Sequence, residues 1–115
     1  MKQTIFLIAL SSISVTVVAQ KHIKYEFPEA MPEHVKSDYL EQCKKGKILY
    51  DINCAKCHNT TVKRKEIIPD FTVAQLINYE LRVQNPKHTT NIPENTVNTE
   101  ELGLIITFLT YKKKN

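Results

Sequence analysis

Apolar and polar positions divide the chain into one dense apolar run at its start and three stripes of helical period further on. The first run, residues 4–18, follows Met1-Lys2-Gln3 and ends in Val17-Val18-Ala19. A short cationic start, an apolar stretch and small residues at its close are the features of an export leader, so residues 1–19 read as a signal peptide cleaved after Ala19. A membrane anchor is the competing reading, but Ser11, Ser12, Ser14 and Thr16 dilute the run, whose length is marginal against the ~20 apolar residues a spanning helix needs. No cysteine stands at the cleavage point, so no lipid anchor is indicated. The expected product is soluble, periplasmic and in oxidising surroundings.

Residues 20–37 carry Pro28 and Pro32 among mixed charges, with Tyr25, Phe27 and Met31 as apolar points, and read as an extended arm. Residues 38–115 read as one domain. Ser37-Asp38 can cap a first helix running to about Asn53, in which Tyr39, Cys43, Gly46 and Tyr50 share a face. The stretch from His58 to Asp70 is polar and basic and reads as loop. Thr72 and Gln75 have capping-box spacing ahead of a second helix, whose stripe of Val73, Leu76, Ile77 and Leu81 stops before Pro86. A polar turn region over residues 87–97 leads to Asn98 and Glu101, a second capping box. The last helix then has two stripes, Leu102, Ile105, Ile106 and Leu109 beside Leu104, Phe108 and Tyr111, and so must be buried on two sides. Lys112, Lys113 and Lys114 follow at the negative end of its dipole. No strand, repeat or low-complexity tract is evident, and the class is all-α.

Of 115 residues, about 96 remain once the leader is gone, enough for one small domain. Multidomain enzymes are thereby excluded. Sixteen Lys and Arg against twelve Asp and Glu give +4, which the loss of Lys2 lowers by one. The charge is dispersed, so no nucleic-acid partner is expected. Two glycines are too few for a phosphate-cradling loop. A domain this small has a thin core, and a covalently held cofactor, a metal or a disulfide would supplement it.

The three cysteines bear on that need. Cys54-Ala55-Lys56-Cys57-His58 is a CxxCH run, in which two thiols can add across the two vinyl groups of a haem while the adjacent imidazole reaches the iron. A thioredoxin-like redox pair would call for a βαβ pattern that the chain lacks. A structural zinc would need two further ligands at close spacing, whereas Cys43, His34 and His88 are scattered. One haem c per chain, anchored by Cys54 and Cys57 with His58 as proximal ligand, is therefore expected. Cys43, left without a cysteine to pair with, reads as a buried, inert contact on the Gly46 face rather than a reactive thiol.

With these residues in view the chain resembles the class I cytochrome c family over most of residues 38–112. Gly46-Lys47-Ile48-Leu49-Tyr50 is similar to the family's first-helix pattern, where a glycine lets the last helix cross closely and an aromatic four residues on packs there. Ile105-Ile106-Thr107-Phe108-Leu109 is similar to its C-terminal partner. Pro69 is placed like the family proline whose carbonyl accepts the proton on the proximal histidine's other nitrogen, which would fix the tautomer of His58. The resemblance implies three main helices around one covalently attached haem, an electron carrier rather than an enzyme, and redox proteins as partners.

The chain departs from that pattern at the distal ligand. The family's methionine stands before the last helix, where this sequence reads Asn91-Ile92-Pro93-Glu94, and isoleucine cannot bind iron. His88, in the same loop, is the first candidate for the sixth position, and Met31 in the arm, followed by Pro32, is the second; an open site is the third. A histidine there would lower the haem potential relative to a methionine. An open or displaceable position would instead make the protein a binder or sensor of small ligands. Lys56, Lys63, Arg64 and Lys65 read either as a positive rim that steers an acidic partner or as a solvated face.

Overall fold

The computed structural model describes residues 22–89 and 97–115; the leader and the Ile92-Pro93 stretch lie outside these described residues. The described residues form a mostly helical small domain with one minor hairpin. Its first element, α1, is Glu33–Asn53. It starts earlier than Ser37, because Pro32 takes the N-cap position and its carbonyl accepts the Lys36 N–H at 2.9 Å. Glu33 then lies in the first turn, at the positive end of the helix dipole, with the Lys36 ammonium 2.9 Å from its carboxylate. The last five residues of the expected arm are thus the first turns of α1.

The anticipated face of α1 is the buried one. Cys43, Gly46 and Tyr50 are buried, and Tyr39 meets Tyr111 edge-on with centroids 5.2 Å apart. Their partner is the last helix, α6, at Thr99–Tyr111. Asn98 and Glu101 cap it reciprocally: Asn98 Oδ1 accepts the Glu101 N–H at 2.8 Å and Glu101 Oε2 accepts the Asn98 N–H at 3.1 Å. Leu102, Ile105, Phe108 and Leu109 of α6 are buried. A Cβ on Gly46 would lie 2.0 Å from the Leu104 carbonyl oxygen and 2.9 Å from Phe108 Cβ. Backbone therefore touches backbone at this crossing, and no residue larger than glycine fits. One turn earlier the fully buried Cys43 thiol faces the Thr107 carbonyl at 3.7 Å.

The arm is extended, as its prolines require, and is tied down. Tyr25 pairs antiparallel with Lys112, the Glu26 N–H donates to the Tyr111 carbonyl and the Lys113 N–H to the Lys24 carbonyl, both at 2.8 Å. Tyr25 lies edge-on to Phe108 at 6.4 Å, and Phe27 tilts against Tyr111 at 5.0 Å. Lys112, expected only as a favourable charge at a helix end, is buried and ion-paired with Asp70. Asp70 also accepts the Asn115 N–H at 3.0 Å, so the chain end is clamped onto the loop that follows the hairpin.

Two expectations for the middle of the chain are corrected. The stretch read as loop contains a hairpin, β1 at Thr60–Val62 antiparallel to β2 at Lys65–Ile67, with Val62 opposite Lys65. Its two turn residues, Lys63 and Arg64, have φ of 49° and 63°, and without the Asn-Gly that marks such a turn its sequence does not announce it. The class is mostly helical, as expected, with one minor hairpin that the sequence did not announce. The second helix is two short ones, α3 at Val73–Ile77 and α4 at Tyr79–Val83, broken at Asn78, a poor helix former with φ −101° and ψ 23°. The Thr72–Gln75 capping box is present as expected. The stripe, however, divides: Leu76 is half-buried, while Val73, Ile77 and Leu81 are 71–74% exposed. A third short helix of this region, α5 at Pro86–Thr89, lies where a polar turn was expected.

Gly46→Ala is expected to destabilise the fold by about 3 kcal/mol or more, since overpacking a fixed crossing costs this much. Thermal unfolding checks it; because alanine is otherwise the better helix former, an unchanged or higher midpoint would contradict the crossing. The Asp70 carboxyl is pushed up by burial, but the Lys112 and Asn115 hydrogen bonds and the Lys112 charge outweigh this and hold it below the usual carboxylate range. Its stabilising contribution is present above the unfolded carboxylate pKa and is lost as pH falls through the lower folded value. Asp70→Asn should lower the unfolding midpoint at neutral pH and shrink the acid-induced loss, as read from midpoints measured between pH 7 and pH 2.

Candidate functional site

The end of α1 delivers the cysteines. The Cys54 N–H closes that helix on the Tyr50 carbonyl at 2.8 Å, and the chain turns at once into α2, Ala55–His58. The His58 N–H donates to the Cys54 carbonyl at 3.0 Å and the Asn59 N–H to the Ala55 carbonyl at 2.9 Å. Helical winding sets residues three and four apart side by side, so Cys54, Cys57 and His58 come onto one wall. Asn59 fixes the exit, its Oδ1 accepting the Tyr50 hydroxyl at 2.6 Å and its Nδ2 donating to Glu66 at 2.9 Å. Burial, with Cys54 and two carboxylates nearby, raises the pKa of Tyr50, so the phenol stays a donor to Asn59.

That wall faces a cavity of about 1170 Å³, larger than the 300–1,000 Å³ usual for small-ligand pockets. Phe71, Leu76, Val83, Val97, Ile106 and Leu109 supply apolar lining. The cavity lining also includes His88 on α5, which Asn85-Pro86 starts: Asn85 Oδ1 accepts the Lys87 N–H at 3.0 Å, Pro86 takes the first helical position and the His88 N–H donates to the Asn85 carbonyl at 2.8 Å. The imidazole centroids of His58 and His88 are 6.3 Å apart with planes 26° apart. Metal–imidazole nitrogen bonds are about 2.0–2.1 Å and a centroid lies roughly 1.1 Å behind its nitrogen, so two imidazoles on opposite sides of one metal have centroids about 6.3 Å apart. In ring separation the pair matches a metal held between two histidines, with the remaining ligands supplied by a group large enough to fill the cavity.

Protonation states agree with that fit. Burial, and then the neighbouring His88, push His58 below the ordinary imidazole value, favouring the neutral, ligating form. Burial and then Cys57 push the Cys54 thiol up to about 11, opposite to the depressed thiol of a redox CxxC pair. Cys43 is likewise pushed up to about 11 by burial, as an inert contact would be. Among the described residues no group of three or more His, Cys, Asp or Glu could hold a metal ion by itself. No helix of the described residues is long and apolar enough to cross a membrane.

The other sequence candidates stand apart from this arrangement. Met31 precedes α1, at the far end of a helix about 30 Å long, and is not part of the cavity wall. Pro69 is half-buried beside the clamp, also off the cavity wall, and none of the hydrogen bonds among the described residues joins it to His58. The His58 ring instead meets Phe71 edge-on at 5.7 Å. Sequence reasoning missed Phe71, Tyr79 and Val83 as cavity residues; Tyr79 and Val83 are four residues apart, and their spacing was the signal. His22 and His34 are exposed. No protein-family model, curated protein or solved structure matches the chain.

Proposed function

We propose that this chain is an exported, periplasmic single-haem c-type cytochrome that carries one electron between redox proteins. Cys54 and Cys57 are the thioether anchors, His58 the proximal ligand and His88 the distal one. The observation that carries this reading is the pair of imidazoles 6.3 Å apart in the lining of a cavity that also bears both CxxCH thiols. Its likeness to class I cytochromes c rests on that motif, on the close Gly46 crossing and on the α1–α6 pairing.

When bound, haem supplies one-electron iron chemistry. The chain's own residues do the rest. Cys54 and Cys57 would hold the macrocycle by its edge, and Phe71, Leu76, Ile106 and Leu109 would exclude water from its faces. His58 sits on a turn locked by Asn59 and His88 on one started by Asn85, so neither imidazole has to be reorganised when the oxidation state changes. With two histidines the potential is low relative to a methionine-ligated site. The facing histidines favour this carrier over the alternative, a sensor of small ligands with an open position.

Purified His88→Ala should lose the low-spin spectrum and bind carbon monoxide when reduced, whereas His88→Met should regain it at a higher potential; a low-spin spectrum unmoved in both would remove His88 as ligand. A thiol titration of the unfolded mature protein should find one free cysteine, Cys43, and three would contradict covalent attachment.

A further inference from the structure

Residues 68–72 join β2 to α3 and belong to no helix or strand. Among the described residues no backbone-to-backbone hydrogen bond holds residues 68–71; the C-terminal tail does so instead. Asn115 Nδ2 donates to the Ile68 carbonyl at 2.8 Å, the Asn115 N–H to Asp70 Oδ2 at 3.0 Å, and the Lys112 ammonium to Asp70 Oδ1. Beyond Phe71, the Thr72 N–H donates to Gln75 Oε1 at 2.8 Å in its capping box. Both chain neighbours of Phe71 are therefore pinned. The clamp itself lies off the cavity wall, but Phe71 is on it, half-buried and packed against the core. Its ring centroid is 5.7 Å from that of His58, with planes 63° apart, inside the range of a favourable edge-on contact. Phe71 and His88 are the rings that meet His58 among the described residues. The Lys112 side chain is only 4% exposed, and an ion pair so placed is often no more stabilising than an apolar pair of the same volume. What it adds is a single allowed geometry, here one residue away from Phe71.

We propose that the C-terminal clamp sets the plane of the His58 imidazole, with Asp70, Lys112 and Asn115 as positioning residues that act through Phe71; this rests on the carrier reading above. The Pro69 contact implied by the resemblance would hold the ring by a hydrogen bond at its nitrogen, whereas Phe71 limits its rotation by packing against it. The planes of His58 and His88 are 26° apart. An imidazole donates π density to iron at right angles to its own plane, so two near-parallel rings act on the same iron d orbital and give the oxidised low-spin state a rhombic EPR signal. Rings turned across each other give an axial one. Groups that orient a ligating histidine thereby tune the metal.

The test uses purified holoprotein, held well below its thermal midpoint so that unfolding does not contribute. Proton NMR of the reduced, diamagnetic form reads the cross-peak between Phe71 and His58 ring protons, and EPR of the oxidised form reads the ring planes. Asp70→Asn should lose the cross-peak and shift the signal from rhombic toward axial. Phe71→Leu should shift it as far, and adding Asp70→Asn to Phe71→Leu should shift it no further, because the carboxylate acts only through the ring. Glu26→Gln removes a second ion pair of the tail, an exposed one with Lys113, and should leave both readouts as they were. A lowered midpoint in Asp70→Asn with both readouts unmoved, additive shifts in the double variant, or an equal shift in Glu26→Gln would each overturn the proposal. The optical spectrum of the parent protein judges the carrier reading on its own. Where it shows no low-spin bands that reading fails, and the cross-peak in the haem-free or carbon monoxide-bound form, also diamagnetic, still decides whether Asp70 places Phe71 against His58.

Discussion

Everything in this small domain depends on the contact at Gly46. The Leu104 carbonyl occupies the space where any side chain would begin, and that approach brings Tyr50 against Phe108, with centroids 5.6 Å apart. Since α1 runs directly into Cys54, the crossing also sets where the CxxCH turn emerges relative to Ile105, Ile106 and Leu109. An aromatic and hydrogen-bonded chain of contacts, Phe108 to Tyr50 to Asn59 to Glu66, then carries this order to the hairpin. The helix contact positions the site.

The buried apolar residues, Cys43, Tyr50, Leu102, Ile105, Phe108 and Leu109, belong to α1 and α6 alone. Leu76 of α3 lines the cavity while also packing against that core, and α4 and α5 contribute Tyr79, Val83 and His88 to the cavity lining. On the proposed reading the cofactor is the missing half of that core: an apolar plate lying against Leu76, Val83, Ile106 and Leu109 would bury surface the chain alone cannot, at roughly 25 cal/mol per Å². The clamp from Asp70 to Lys112 and the arm paired with the C-terminal tail reinforce the other end, where no cofactor helps.

Legibility followed how local each signal was. The first-helix face, both capping boxes and the CxxCH wall were readable because each is a spacing within a few residues that helical winding converts directly into a shared face. The hairpin was not, since Lys63 and Arg64 disguise a turn that usually advertises itself by glycine. The pairing of Asp70 with Lys112 joins residues 42 apart in the chain, which no local pattern encodes. Among the ligand candidates, sequence placed His88 and Met31 on one list; the fold separates them by the length of α1. Phe71, rather than Pro69, is the residue found against His58.

The central claim is that two histidines face each other across one covalently held haem. The most direct measurement is the optical spectrum of the purified, dithionite-reduced protein before and after carbon monoxide. Sharp low-spin bands that ignore the gas are the result expected of firm ligation by His58 and His88. A broad high-spin band that shifts with carbon monoxide, or no haem absorption at all, would contradict it.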